Sequence, residues 1–200
     1  MRVMEEEVKK KSSLREFVNS VIYIAVVVGF TFLFIHFVAQ VTRVSGRSME
    51  PTLHGTEQTE NTFGAEHVDS LIVDKISYRF RDPERFDIIV FPFQHAEHTY
   101  FIKRIIGLPG ETVLIDEEGN IYINGERLYE SYGKEVILFP GIAQYGITLG
   151  DDEYFVMGDN RNNSMDSRDE NVGNIHKDQI IGRAFLRFYP FSEFGLLHGE

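Results

Sequence analysis

Cysteine is absent from the 200-residue chain, which excludes a disulfide framework, a thiolate nucleophile and a thiolate metal site together. Positive charge is also scarce: 31 acidic residues outnumber 20 basic ones, for a formal net charge of −11. A nucleic-acid binder usually carries a basic surface to neutralise phosphates, so no nucleic-acid partner is expected. There is no internal repeat or low-complexity segment, and no long amphipathic helical pattern follows residue 41. A Gly-x-Ser-x-Gly nucleophile elbow, with the histidine chemistry it serves, is missing too.

What is present divides into two regions. Residues 1 to 41 hold five Lys or Arg and four Asp or Glu, leaving 15 basic and 27 acidic residues for the remainder. From Phe17 to Val41 there is no charged residue, and Val, Ile and Phe dominate. At ~1.5 Å per residue such a run crosses a hydrocarbon core of about 30 Å, so a transmembrane helix is expected over residues 17–41. The tail of residues 1–16, with Lys9, Lys10, Lys11 and Arg15, is expected in the cytoplasm, which puts residues 42–200 outside the plasma membrane. A cleavable signal peptide has a shorter apolar core, about 7–15 residues, and a small-x-small site after it that this run lacks.

Immediately after the apolar run comes SGRSMEPTL, Ser45 to Leu53. Gly46 permits a tight turn of positive φ, and Pro51 fixes its own φ and keeps Glu50 extended, so Ser48 is presented on a stiff, irregular segment. Read alone, this is equally an ordinary juxtamembrane turn. A polar, acidic stretch from Thr56 to His67 reads as a loop. Beyond it the two-residue period and β-branched content of strands recur in LIVDKISYRF, FDIIVFPF, TYFIKRIIG, EYFVMGD and QIIGRAFLRFYP. Val113–Asp116 and Ile121–Asn124 form the clearest hairpin, inside a small second β-region at about 110–150. The outer part is therefore expected to be mostly β, a sandwich or a partly closed barrel.

Chemistry-bearing groups cluster in two places. In TYFIKRIIG the alternation puts Lys103 on the face of Phe101 and Ile105, opposite Arg104. Burial of that face would favour a neutral amine, whereas a sheet-edge lysine would extend its head to water. GDNRNNSMDSRDE, Gly158 to Glu170, packs hydroxyl, amide, carboxylate and guanidinium groups together; as a calcium loop it fails, with Arg161 at the third ligand position and Ser164 at the usual glycine. Ser131–Lys134 matches Ser-x-x-Lys without the accompanying motifs of penicillin-binding enzymes. His95 and His98 have the spacing of a metal pair but no third ligand, so no metal and no cofactor are expected. Asn162-Asn163-Ser164 is a glycosylation sequon by pattern alone.

In this order, the anchor, SGRSMEPTL, LIVDK, YFIKRIIGLPGE and GDNRNNSMDSR resemble the bacterial type I signal peptidases over nearly everything up to Arg187. The resemblance implies a membrane-tethered serine endopeptidase that removes signal peptides from exported preproteins after Ala-x-Ala. Ser48 would be the nucleophile, Lys103 the general base and Ser164 the serine that hydrogen-bonds and orients the lysine. Asp159, Asp166, Arg104 and Arg168 would brace the site through ion pairs, and Met49 would line the pocket for the small residue before the cut. Gly46 stands where some relatives have a serine that donates to the oxyanion, which leaves a backbone group for that task and suggests the Gram-positive kind. Preproteins, the lipid bilayer and the secretion machinery are the implied partners. Phe91, Phe93, Phe188 and Phe191 are either lipid-facing or core residues.

Overall fold

The computed structural model describes residues 2–56 and 68–197, so most of the acidic stretch from Thr56 to His67 lies outside the described residues. The chain divides into two compact units, residues 1–39 and 40–200.

The first unit is one helix, α1 (Arg2–Phe37). Its stretch Arg15–Phe34 is long and apolar enough to cross a bilayer, and none of it is buried. Phe17, Tyr23, Phe30 and Phe32 are each about two-thirds exposed or more. A helix is the element that satisfies its own backbone polar groups without partners, which is what such a surface demands of its surroundings. The helix ends at Phe37 rather than at the expected Val41, because Ala39–Arg43 has already become strand β1.

The second unit is built on strands β2 (Ser70–Asp74), β3 (Ile88–Pro92), β4 (Tyr100–Gly107), β5 (Thr112–Ile115), β6 (Ile121–Ile123), β7 (Glu126–Arg127), β8 (Ile147–Thr148), β9 (Glu153–Met157), β10 (Ile175–His176), β11 (Gly182–Tyr189) and β12 (Gly195–Leu196). An eight-stranded sheet runs β1-β2-β11-β3-β4-β9-β10, with β12 added to β11; a four-stranded sheet runs β7-β6-β5-β8. Neither sheet closes on itself, so the fold is a mostly β arrangement of two open sheets. The β5–β6 pair is the hairpin read from the sequence, joined in register Val113 to Ile123.

Alternating apolar residues give each sheet a face to bury. Ile106, Phe155 and Met157 of the large sheet share a core with Val113, Ile115 and Ile121 of the small one. A second cluster joins Val44, Met49, Leu53, Leu71, Ile88 and Ala184, with Ile102 packed against it. The third holds Ile89, Phe91, Ile105, Tyr154, Val156 and Ile175. Phe91, one of the aromatics considered for lipid contact, is thus a core residue; only Phe191 of that set is strongly exposed, at 80%. Phe93 and Phe188 are half-buried, Phe93 stacked on Phe101 with centroids 4.6 Å apart.

β4 carries the consequence for chemistry. It lies between β3 and β9, with Ile89 opposite Lys103 and Met157 opposite Arg104. Successive side chains of the strand project to opposite faces of the sheet, and both Lys103 and Arg104 are buried there.

Candidate active site

Ser48 sits in a turn whose entry is set by Gly46. Its φ of +76° is open to glycine and strained for other residues, and its N–H donates to the Thr56 carbonyl at 2.9 Å. That N–H is therefore committed, and the Gly46 amide does not supply an oxyanion donor in this arrangement. The Ser48 N–H has no partner among the described residues. Met49 and Leu53 pin the turn from below, both fully buried.

Asn160 pins it from above, its N–H donating to the Ser48 carbonyl at 3.0 Å and its Nδ2 to the Arg47 carbonyl at 3.0 Å. The sequence marks the motif containing Asn160 but carries no signal that this amide, 112 positions away, fixes the Ser48 turn.

Lys103 Nζ lies 2.9 Å from Ser48 Oγ and 3.1 Å from its neighbour's carbonyl, Ile102 O. The lysine is 3% exposed, and the Phe101 ring stands 4.8 Å from the nitrogen. Burial pushes its pKa down from 10.5 to about 8, while Asp166 and then Asp159 pull it partway back. A pKa near that value leaves about a tenth of the amine neutral at pH 7, enough to work as a base. The sheet-edge alternative is excluded by the pairing on both sides of β4.

The remaining expected residues surround this pair. Arg104 grips Asp159 in a two-pronged ion pair at 2.7 and 2.9 Å, both side chains at most 1% exposed. Thr52 Oγ1 donates to the same carboxylate at 2.5 Å, and Arg104 also donates to the Phe86 carbonyl. The Tyr132 ring lies 3.6 Å from the guanidinium carbon. Asp166 and Arg168 form a second two-pronged pair, and Asp166 also accepts the Gly158 N–H at 2.9 Å. These contacts use charge to hold backbone, with no group left over for proton transfer.

Ser164 departs from expectation. Its hydroxyl is buried and has no hydrogen-bond partner among the described residues, so the bond to Lys103 is not formed. It nevertheless belongs to the site, because a Cβ placed on Gly158 would overlap both Ser164 Oγ and the Ser48 carbonyl oxygen.

Four further contacts were invisible to sequence reasoning. Glu50 accepts from Arg47 Nε and from Lys134 Nζ, each at 2.9 Å. Lys134 N–H donates to the Asp159 carbonyl at 2.9 Å. Arg161, 2% exposed, pairs with Glu130 at 2.6 Å. Lys134 is thus a structural cation, not part of a Ser-x-x-Lys site. Among the described residues no group of three or more His, Asp or Glu side chains is placed to hold a metal; His95 lies edge-on to Phe93.

The sequence profile of the family described as signal peptidase, peptidase S26, matches residues 14–189. A probable signal peptidase I-2 from Synechocystis is 44% identical over 167 residues, covering 80% of this chain and 68% of that protein. A signal peptidase I from Bacillus amyloliquefaciens is 36% identical over 203 residues, covering 96% and 97%. A crystal structure of a signal peptidase I from Enterococcus faecalis, 36% identical, covers 52% of this chain and 97% of its own, with a TM-score of 0.43.

Proposed function

Since this chain belongs to the S26 family of bacterial type I signal peptidases, serine endopeptidases that remove signal peptides, we propose that Ser48 and Lys103 are its catalytic dyad. The observation that carries this reading is the 2.9 Å contact between a serine hydroxyl and a lysine kept 3% exposed with its pKa lowered to about 8. A serine hydroxyl is a weak nucleophile until a base removes its proton, and a desolvated amine in contact with it meets that need.

In the reaction, Ser48 Oγ attacks the carbonyl carbon of the scissile bond while Lys103 Nζ takes the hydroxyl proton. The Ser48 N–H faces the developing oxyanion. Collapse of the tetrahedral intermediate breaks the C–N bond, and Lys103 returns the proton to the leaving amine. Water then attacks the acyl-enzyme with Lys103 again as base, releasing the signal peptide and restoring the serine. Asp159, Asp166, Arg104 and Arg168 hold the surrounding backbone, and Ser164 packs against Gly158 beside the Ser48 turn.

Selection before the cut follows from the apolar wall beneath the nucleophile. Met49 packs with Val44 and Ile102 in an apolar cluster, and a tightly filled wall of that kind would reject large side chains and suit Ala-x-Ala. The helix is the membrane anchor, with residues 1–16 cytoplasmic and the β unit outside, where preproteins emerge from the secretion machinery. Phe191 is the exposed aromatic that meets lipid.

The test is cleavage of a purified preprotein whose signal ends in Ala-x-Ala, by the full chain in detergent. Cutting after the second alanine, lost in folded Ser48→Ala and Lys103→Ala, supports the dyad. Normal cutting by Lys103→Ala refutes it.

A further inference from the structure

We propose that Asn160 is a positioning residue for the oxyanion: its side-chain amide orients and polarises the peptide unit whose N–H is the Ser48 donor. The proposal rests on Ser48 being the nucleophile, and it gives a task in the reaction to a residue that the dyad chemistry leaves unused.

One peptide unit carries both groups concerned. The Arg47 carbonyl and the Ser48 N–H are the two ends of a single planar amide and point in opposite directions. Asn160 Nδ2 donates to that carbonyl at 3.0 Å, so it sets the tilt of the whole plane and with it the direction of the N–H on the far side. A carbonyl oxygen only accepts, which identifies the NH2 half of the Asn160 amide as the half that faces it. A donor on the carbonyl also draws electron density from the amide nitrogen and strengthens its N–H as a donor in turn. The Glu50 N–H bonds the same oxygen at 3.2 Å, but it comes from within the turn and ties the plane to nothing outside.

The Asn160 amide is delivered from a fastened segment. Asn160 is 4% exposed, and its own carbonyl accepts the Asn163 N–H at 3.0 Å. Just before it, the Asp159 carboxylate is gripped by Arg104 and takes the Thr52 hydroxyl, while the Asp159 carbonyl accepts the Lys134 N–H. Arg161 Nε holds the Gly158 carbonyl at 3.0 Å. A donor fixed in this way before charge develops needs no reorganisation at the moment of reaction, which is what makes an oxyanion donor effective.

This task is separable from that of the base. The backbone N–H of Asn160 holds the Ser48 carbonyl at 3.0 Å, and no side-chain substitution removes it. The Lys103 amine bonds Ser48 Oγ and the Ile102 carbonyl. Replacing the side chain at position 160 therefore frees the peptide plane before Ser48 and leaves the plane after it, and the lysine, in place.

The experiment compares the full chain in detergent with Asn160→Ala and with Asn160→Asp, which keeps the side chain's shape but turns an oxygen toward the Arg47 carbonyl. On a peptide whose signal ends in Ala-x-Ala, kcat should fall about ten- to hundredfold in both, less than the loss on the order of 10²–10³ when an oxyanion donor is deleted outright. KM should stay within about twofold, and the rising limb of the pH profile should stay at about 8, because Lys103 is untouched.

A peptide aldehyde ending in Ala-x-alaninal reads the oxyanion itself. Its carbonyl carbon bonds Ser48 Oγ, the hydroxyl proton passes to Lys103, and the aldehyde oxygen takes the negative charge. Its affinity should fall by the same factor as kcat/KM, whereas the peptide acid of the same sequence, which forms no such bond, should bind as before. The ratio of the two affinities is taken within each protein, so it holds whatever fraction of a variant is folded. Equal ratios in native and variant proteins overturn the positioning role and leave the dyad standing. A pH limb that moves with the substitution overturns it too, since Asn160 would then act on the base. Should the native chain neither cut the peptide nor prefer the aldehyde to the acid, the dyad reading falls and takes this one with it.

Discussion

Gly158 lies against Ser164 so closely that a single added carbon on the glycine would occupy the place of the serine hydroxyl and of the Ser48 carbonyl oxygen together. The Ser48 turn and the loop after β9 therefore touch through a residue with no side chain. Both neighbours are main-chain or short side-chain atoms with little room to retreat.

Gly158→Ala should consequently separate the two segments and displace Ser48 from Lys103. A misplacement of about 1 Å costs on the order of 10²-fold in rate, while overpacking destabilises the fold by about 1–3 kcal/mol. Steady-state cleavage kinetics beside a thermal melt would show a large fall in kcat in a protein that remains folded. Cleavage at the native rate would mean that this spacing does not govern the dyad.

The pH profile of kcat/KM should rise through about 8, since the amine must be neutral to accept the serine proton and burial has lowered Lys103 to that value. Below it, activity should fall about tenfold per pH unit. Asp166 is the stronger of the two carboxylates that raise this pKa, so whatever activity Asp166→Asn retains should have its rising limb at lower pH. A limb unmoved, or moved upward, would contradict the assignment of Lys103 as base.

Lys103→Met should abolish cleavage yet melt higher than the native chain near pH 7. The folded pKa of about 8 lies below the ordinary 10.5, so between these values the unfolded chain binds more protons and native stability rises with pH. Below about pH 8 the buried lysine lowers stability by about 3 kcal/mol relative to its fully neutral state. The melting gap between variant and native should therefore narrow as pH climbs toward 10. Equal melting curves at every pH would show that burial does not depress the lysine.

Asp159→Asn should strip the buried Arg104 guanidinium of its counter-charge, a loss of about 3–5 kcal/mol for breaking a buried pair from one side. Replacing both, Arg104→Met with Asp159→Leu, should recover much of that stability without restoring activity. Chemical denaturation of the three proteins distinguishes a pair held for positioning from one held for stability alone.

The full chain should remain with lipid vesicles through a high-salt wash, and a chain lacking residues 1–37 should move to the aqueous phase. The basis is the fully exposed apolar stretch Arg15–Phe34. Release of the full chain by salt would point to surface adsorption in place of a spanning helix.

Legibility in the sequence followed the range of the interactions involved. The alternation of TYFIKRIIG announced β4, and local turn chemistry announced the β5–β6 hairpin, because both are written in neighbouring residues. Two-residue strands such as β7, β8, β10 and β12 contain no period to read and exist through their partners. The same limit applies to Asn160 on the Ser48 turn, Tyr132 on Arg104 and Lys134 on Glu50, each joining segments dozens of positions apart. Phe91 shows a different ambiguity: an aromatic in an apolar run reads alike for core and for surface, and only the pairing of β3 with β4 places it inside. Ser164 packs against Gly158, yet its hydroxyl has no partner among the described residues, since a motif specifies neighbourhood and not rotamer.

Lys103 stands on β4, whose partners β3 and β9 come from opposite sides of it in the sequence. An amine in open water keeps an ordinary affinity for its proton, and burial in the assembled unit is what lowers it here. The chemistry of this side chain is therefore a property of the whole fold and not of the segment that carries it.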